Sequence, residues 1–113
     1  MGPGQKDFRI AKAVLLLHEK PACSLPELAR SCGVSPSRLS HLFKNQNGFS
    51  VKRYRRNFRF HLALKMLALT DMPIKEIGYN LGYHHTSSFV RAFKFQLGLS
   101  PTAYRRRQRA KAA

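Results

Sequence analysis

Residues 24–48, SLPELARSCGVSPSRLSHLFKNQNG, decide the fold, because this stretch returns later in the chain as residues 73–98, PIKEIGYNLGYHHTSSFVRAFKFQLG. In the later part of the two stretches the matching residues are 50 positions apart, as Phe43 and Phe93 are. In the earlier part they are 49 positions apart, because one residue is inserted after Gly82. So many matches in one register indicate a tandem duplication of one supersecondary unit.

The repeated unit is predicted to contain two short helices joined by a turn. Ser24 has the position of an N-cap before a helix over 25–31, and Glu27 completes the capping-box pattern. Gly33 supplies the tight turn, and Ser35-Pro36 begins a second helix that Gly48 ends. Apolar residues of the second helix recur at spacings of three and four, so one of its faces is buried. This arrangement is typical of a helix-turn-helix, which needs a small residue where its helices cross.

The whole chain is predicted to be all-α, with about seven helices in two helix-turn-helix subdomains joined by a long central helix. Ser50 caps that central helix, expected over 51–69, which is about 28 Å long at 1.5 Å per residue. A first helix is expected over 7–19, and a last one begins at Ser100-Pro101. The predicted organisation is a first subdomain over 7–49, a linker helix over 50–70, a second subdomain over 71–107, and flexible ends over 1–6 and 108–113.

The charge of the chain points to a polyanionic partner. Its 113 residues include 21 Lys and Arg against 5 Asp and Glu, a formal net charge of +16. No acidic residue occurs from Leu28 to Thr70, and none from Ile77 to the end. A hydrophobic content of 43% is too high for a disordered basic tail. The basic stretches are therefore expected to face nucleic acid or an anionic membrane, although no apolar run is long enough to span a bilayer.

Chemistry other than binding has little support in the sequence. Cys23, Cys32 and His41 have no spacing used by zinc sites, so neither a metal nor another cofactor is expected. Carboxylates are too few for acid–base catalysis and there is no glycine-rich phosphate loop, so the chain is not expected to be an enzyme. Two cysteines form no disulfide framework, which favours a reducing cytoplasm. Two alternatives to sequence-specific DNA binding remain open, namely charge-driven packaging of nucleic acid and an anionic-membrane or partner-binding helical module.

The sequence resembles the DNA-binding domain of the AraC/XylS family of bacterial transcription regulators over about residues 10–106. The first copy carries Gly33-Val34-Ser35-Pro36-Ser37 and Leu42-Phe43-Lys44. The second copy carries the family's signature, listed as Ile74-x-Glu76-Ile77-Gly78, Leu81-Gly82-Tyr83, Ser87-x-Phe89-x-Arg91-Ala92-Phe93-Lys94, Gly98-x-Ser100-Pro101 and Tyr104-Arg105.

The resemblance implies a cytoplasmic, nucleoid-associated regulator that binds specific double-stranded DNA, with two recognition helices in successive major grooves about 34 Å apart. It also implies contact with RNA polymerase. One chain is expected to bind as a monomer, and a dimer is possible if a missing N-terminal domain exists. The chain departs from the family at His41 and at His84-His85-Thr86, where His85 points at DNA or Thr86 takes over the capping of the next helix.

A helical wheel of each second helix places a polar face opposite the buried one. The resemblance implies that these faces read bases, and the predicted base-reading residues are Ser37, Arg38, Ser40, His41, Thr86, Ser87, Val90 and Arg91. Arg91 suits a bidentate contact with guanine, and Val90 a thymine methyl group. The predicted contacts to the DNA backbone are Lys44, Asn45, His84, His85 and Lys94. Arg55-Arg56 and Arg105-Arg106 are expected either to cover the core or to contact the backbone. The tail arginines are expected either to strengthen DNA binding nonspecifically or to be disordered.

Overall fold

The computed structural model describes residues 7–112, which form seven α-helices and no strand, confirming the predicted all-α class. The predicted flexible end over 1–6 lies outside the described residues. The helices are α1 (Phe8–Glu19), α2 (Leu25–Ser31), α3 (Pro36–Asn47), α4 (Val51–Leu69), α5 (Ile74–Asn80), α6 (Thr86–Leu97) and α7 (Pro101–Ala112).

Serine side chains begin four of the helices, at the positions that the sequence predicts. Each hydroxyl accepts a hydrogen bond from the backbone N–H three residues further on, which satisfies one of the amides that a helix start leaves unpaired. The pairs are Ser24 with Glu27 at 3.3 Å, Ser35 with Arg38 at 3.1 Å, Ser50 with Arg53 at 3.0 Å, and Ser100 with Ala103 at 3.1 Å.

The turn of each helix-turn-helix contains a glycine with a left-handed backbone. Gly33 between α2 and α3 has φ of 74°, and Gly82 between α5 and α6 has φ of 97°. A residue with a Cβ adopts this conformation only with strain, whereas glycine adopts it freely. The two glycines therefore set the direction in which each second helix leaves its turn.

The chain divides into two compact units, and the boundary falls between Arg56 and Asn57, inside α4. The beginning of α4 thus belongs to the first unit and the rest of it to the second, so the linker helix is not a separate body.

The repeat extends further than the sequence patterns suggested. Buried Ala13 and Leu17 of α1 match Ala63 and Leu67 of α4, again 50 positions apart, so equivalent helical segments open both units.

Each unit has a hydrophobic core of its own. The core of the first unit is built from Ile10, Ala13, Leu17, Leu28, Ala29, Cys32, Leu39, Phe43 and Val51. The core of the second is built from Ala63, Leu67, Ile77, Leu81, Phe89 and Phe93. Both cores bury one face of the second helix of the motif, and this leaves the opposite face of α3 and of α6 in solvent.

Residues 108–112 lie in α7, where the sequence predicts a flexible end. The helix is held from both sides of its axis, which explains the difference. Tyr104 packs against Phe93, with ring centroids 5.8 Å apart. Arg105 and Arg109 reach back to the end of α4, 35 to 39 residues away in the sequence.

Candidate nucleic-acid interface

The solvent face of α3 carries most of the residues that the sequence predicts for DNA contact in the first unit. Ser40 is half-buried, and the exposed ones are Ser37, Arg38, His41, Lys44 and Asn45. On the opposite side of the helix, Leu39 and Phe43 are fully buried. The structure therefore presents these side chains together, as a basic and polar strip on a helix that its core holds rigidly.

The solvent face of α6 carries the equivalent strip in the second unit. Val90 is half-buried, and the exposed residues are Thr86, Ser87, Arg91 and Lys94. The turn before the helix adds His84 and His85, which are both exposed. The buried face again packs through two aromatic residues, Phe89 and Phe93.

Sequence reasoning missed one member of the α6 strip. Phe95 is 90% exposed and is the most exposed large hydrophobic residue among those the structure describes. At about 100° per residue, Phe95 falls within about 40° of Arg91 around the helix. The sequence signal that could have identified Phe95 is its position as an apolar residue on the polar side of the helical wheel of α6.

The start of α6 differs from the start of α3. His85 is the N-cap residue, and no side chain caps the helix, whereas Ser35 caps α3. Thr86 is the first residue of the helix and does not take over the capping. The positive end of the α6 dipole therefore lacks the side-chain oxygen that covers it in α3, which leaves it suited to an outside acceptor such as a phosphate.

The predicted contact residues keep their side chains available. Within residues 7–112 none of them makes a side-chain hydrogen bond or a salt bridge with another residue. The two salt bridges in that range join Arg9 to Asp7 at 2.8 Å and Arg109 to Asp71 at 2.6 Å. The strips on α3 and α6 therefore have no salt bridge within residues 7–112, although the charge of Arg38 also acts on Asp7. Their positive charge favours a polyanionic partner.

The acid at the start of α1 is bound locally. The hydrogen bond from the Arg9 side chain to Asp7 lowers the pKa of that carboxyl from 3.8 to about 2, and a second bond from the Arg9 backbone acts in the same direction. Asp7 also caps α1. Its negative charge is therefore used mainly at the helix end, and the charge of Arg38 in the α3 strip lowers the pKa of Asp7 as a smaller cause.

Two arginines of the C-terminal helix have a structural role. Arg105 donates to the Leu67 carbonyl at 3.0 Å and to the Thr70 carbonyl at 3.2 Å. Arg109 donates to the Thr70 carbonyl at 3.0 Å and to Asp71. These carbonyls lie at the negative end of α4, where cations are stabilising.

Neither cysteine belongs to a recognisable metal site. Across residues 7–112, no three His, Cys, Asp or Glu side chains are grouped closely enough to hold a metal ion. Cys32 is buried in the first core, and burial raises the pKa of its thiol. Within the same range, no helix has the length and apolar character needed to cross a bilayer.

Comparisons with known proteins agree with the two helix-turn-helix units described above. Residues 28–107 match a family model described as a helix-turn-helix domain. The chain is 37% identical over 102 residues to the arabinose operon regulatory protein of Escherichia coli (strain K12). The aligned residues cover 88% of this chain and 35% of that protein. This chain spans 11% to 36% of the length of three curated relatives that it matches.

Two solved structures share the fold. The C-terminal domain of AraT, a response regulator from Geobacillus stearothermophilus, has a TM-score of 0.81 at 29% identity, covering 91% of this chain and 88% of that one. The DNA-binding domain of AdpA, a global transcriptional factor solved in complex with a target DNA, has a TM-score of 0.82 at 22% identity, covering 93% and 96%.

The fold and the two exposed second helices define a DNA-binding domain of the helix-turn-helix class. The chain belongs to the AraC type of this helix-turn-helix family, which confirms the resemblance inferred from the sequence.

Proposed function

We propose that this chain binds specific sequences of double-stranded DNA as part of a transcription regulator, with α3 and α6 as its recognition helices. One observation carries the proposal. In each unit the second helix of the motif buries one face in its own core and exposes an unpaired, polar and basic face on the other side. A rigid helix with such a face is what the major groove accepts.

The chemistry of the exposed side chains suggests the role of each. Arg91 pairs with guanine through two hydrogen bonds, and His41 donates or accepts one. Four residues with short hydroxyl side chains contact bases, phosphates or bound water, namely Ser37, Ser40, Thr86 and Ser87. Arg38 and Val90 complete the base-reading set. Contacts to phosphates come from Lys44, Asn45, Lys94, His84 and His85, which supply affinity and register.

One copy of the chain suffices for binding under this proposal, because it carries both recognition helices. The two helices have different residues on their exposed faces, so the DNA site is asymmetric. Binding of the two helices in adjacent major grooves is what the family resemblance implies. The proposed activity is binding and not catalysis, in the cytoplasm. Contact with RNA polymerase, and dimerisation through a further domain, stay expectations of the family resemblance.

Selection of binding sites from random duplex DNA tests the proposal. We expect one asymmetric site with two half-sites about one helical turn apart, and an insertion of about half a turn between them should abolish tight binding. Equal affinity for selected and random DNA would contradict sequence-specific binding. A steep salt dependence without any sequence preference would instead support charge-driven packaging.

Variants of single residues separate base reading from phosphate binding. Arg91→Ala should cost about 1–3 kcal/mol of discrimination at one base pair and leave the other positions unchanged. Lys44→Ala should weaken binding to all sequences about equally and lower the salt slope by about one. Lys65→Ala, which removes an exposed charge of α4 outside both strips, is the matched control for a change in charge alone. A base preference that Arg91→Ala leaves intact would refute the assignment of α6.

A further inference from the structure

Phe95 is out of place for a residue whose only environment is water. Its side chain is 90% exposed, on a helix whose other phenylalanines, Phe89 and Phe93, are each only 2% exposed. A phenylalanine side chain gains about 2 to 3 kcal/mol when it is fully buried, and here nothing in its own unit provides that gain. The unit is complete without the ring, so the ring is available to an outside partner.

The position of Phe95 indicates which partner. It follows Lys94 directly and lies one helical turn after Arg91, about 6 Å further along the axis. Both basic neighbours are exposed and have no salt bridge within residues 7–112. An apolar ring flanked by two uncompensated cations suits a surface that is anionic at its edges and locally apolar, which describes the major groove of DNA.

The groove offers one apolar group that a ring can recognise. Among the four bases, only thymine presents a methyl group on its major-groove edge. Val90 was the residue predicted for such a contact, but its side chain is half-buried and it lies about 140° from Phe95 around the helix. The exposed ring is better placed than the valine for that contact.

We propose that Phe95 is a specificity-determining residue that contacts the C5-methyl group of a thymine in the half-site bound by α6. This inference rests on the proposed function and extends it to a residue outside the predicted set. Phe95 lies one helical turn after Arg91, so the thymine is expected in the same half-site as the guanine that Arg91 contacts.

The residue of the first unit that is equivalent to Phe95 predicts a difference between the two half-sites. Asn45 occupies the same place on α3, 50 positions earlier, and is also exposed. Asn45 is assigned to a phosphate contact, which carries no sequence information, whereas a phenyl ring against a thymine methyl group does. The two half-sites should therefore differ at this position, with the thymine preference confined to the half-site of α6.

The test uses deoxyuridine, which lacks the methyl group and keeps every hydrogen-bonding atom of thymine. Each thymine of the selected site is replaced singly by deoxyuridine, and affinity is measured for the wild type and for Phe95→Asn. One replacement in the α6 half-site should weaken wild-type binding about three- to fivefold, the effect of losing one buried methyl group. Phe95→Asn should bind the thymine and deoxyuridine sites equally, and Phe95→Leu should retain part of the difference.

Phe8→Asn is the matched control, because Phe8 is 85% exposed but lies on α1, outside both strips. It should keep the wild-type response to deoxyuridine. The proposal is overturned if Phe95→Asn keeps that response, or if it weakens all sites without changing the ratio. In both cases the wild type still selects a specific site, so the proposed function stands. Failure of the wild type to select any site would refute the proposed function itself.

Discussion

The two units pack the crossing of their two motif helices with different residues. Where the helices of the motif cross, the first unit has Ala29 and Leu39, and the second has Gly78 and Phe89 at the equivalent positions. A Cβ placed on Gly78 would lie 3.1 Å from the Cβ and 3.3 Å from the Cγ of Phe89, so the helices of the second unit approach too closely here for a methyl group to fit without a shift. The duplicated fold thus preserves the crossing and not the residues that fill it.

A second difference concerns the start of the first helical segment in each unit. The Gln46 side-chain oxygen accepts from the Asp7 backbone N–H at 2.6 Å, and the Gln96 side-chain nitrogen donates to the Asn57 side-chain oxygen at 3.3 Å. The partners are equivalent in the repeat, but the direction of the hydrogen bond is reversed. A glutamine amide serves both arrangements because it carries a donor and an acceptor.

A third difference concerns equivalent arginines. Arg105 bonds to two carbonyls at the end of α4, whereas the Nε of Arg55, 50 positions earlier, is buried without a hydrogen-bond partner. The repeat therefore preserves the residue but not its interaction. The second unit gains a fixed helix end from its arginine, and the first unit gains only the packing of the side-chain stem.

The largest expected effect tests whether the two cores are independent. Phe93 contacts the rings of Phe60, Phe89 and Tyr104, and Phe93→Ala should cost about 3–5 kcal/mol of unfolding free energy. Because the first unit has its own core, hydrogen exchange should accelerate in α5 to α7 far more than in α1 to α3. The equivalent change Phe43→Ala should give the reverse pattern. Equal loss of protection in both units for either variant would show a single cooperative core.

The next effect concerns the crossing itself. Gly78→Ala should destabilise the protein by about 1 kcal/mol in chemical denaturation, since overpacking against Phe89 costs about 1–3 kcal/mol and the better helix propensity of alanine returns only part of it. Phe89→Leu in the same chain keeps the Cβ and the Cγ that crowd residue 78, so the clash should remain and the two effects should add. A strong favourable coupling would mean that the outer ring atoms of Phe89, and not its Cβ and Cγ, limit the size of residue 78.

A smaller effect separates the equivalent arginines. Arg105→Leu should lower the unfolding free energy by about 1 kcal/mol, because two carbonyls at the end of α4 lose a charged donor. Arg55→Leu should be neutral or slightly stabilising, since it removes a buried nitrogen that has no partner. Thermal unfolding of the two variants under one buffer gives the comparison. Equal losses would contradict the difference between the units.

The smallest effect is a dependence on pH. Asp7→Asn gives the first unit the residue that Asn57 provides in the second, and keeps a side chain able to cap α1. The pKa of Asp7 is lowered from 3.8 to about 2 by its hydrogen bonds to Arg9, so its ionised form favours the folded state. This contribution is present in full above the unfolded value and is lost as the pH falls through about 2. The melting temperature of the variant should therefore fall below that of the wild type at pH 6, and the gap should narrow as the pH falls from 4 to 2. A gap as large at pH 2 as at pH 6 would exclude this linkage.

The sequence predicted the helix ends with little error because they depend on neighbouring residues. A serine hydroxyl reaches an amide three positions on, so Ser24, Ser35, Ser50 and Ser100 marked four helix starts correctly. The start of α6 was left open between two alternatives; the structure excludes capping by Thr86, and the contact of His85 with DNA stays a prediction. The predicted contact residues were mostly found on exposed faces, because a core position fixes what lies on the opposite side of a helix.

Local patterns also explain what was missed. The end of the chain over 108–113 was expected to be flexible, but α7 continues through residue 112. The exposure of Phe95 escaped prediction because a phenylalanine in a helix with two other phenylalanines suggests a core position. Only the packing shows that Phe89 and Phe93 already fill the space available.

By itself, the sequence determined the duplication, the seven helices and the basic character of the chain, since periodicity, caps and charge act over a few residues or over the whole composition. The tertiary structure alone decided which basic residues are free. It engages Arg105 and Arg109 with carbonyls more than 30 residues away and leaves Arg91 and Lys94 exposed. The physical reason is that a guanidinium is satisfied by whatever acceptors the folded chain brings within about 3 Å, and no local pattern specifies acceptors so distant in sequence.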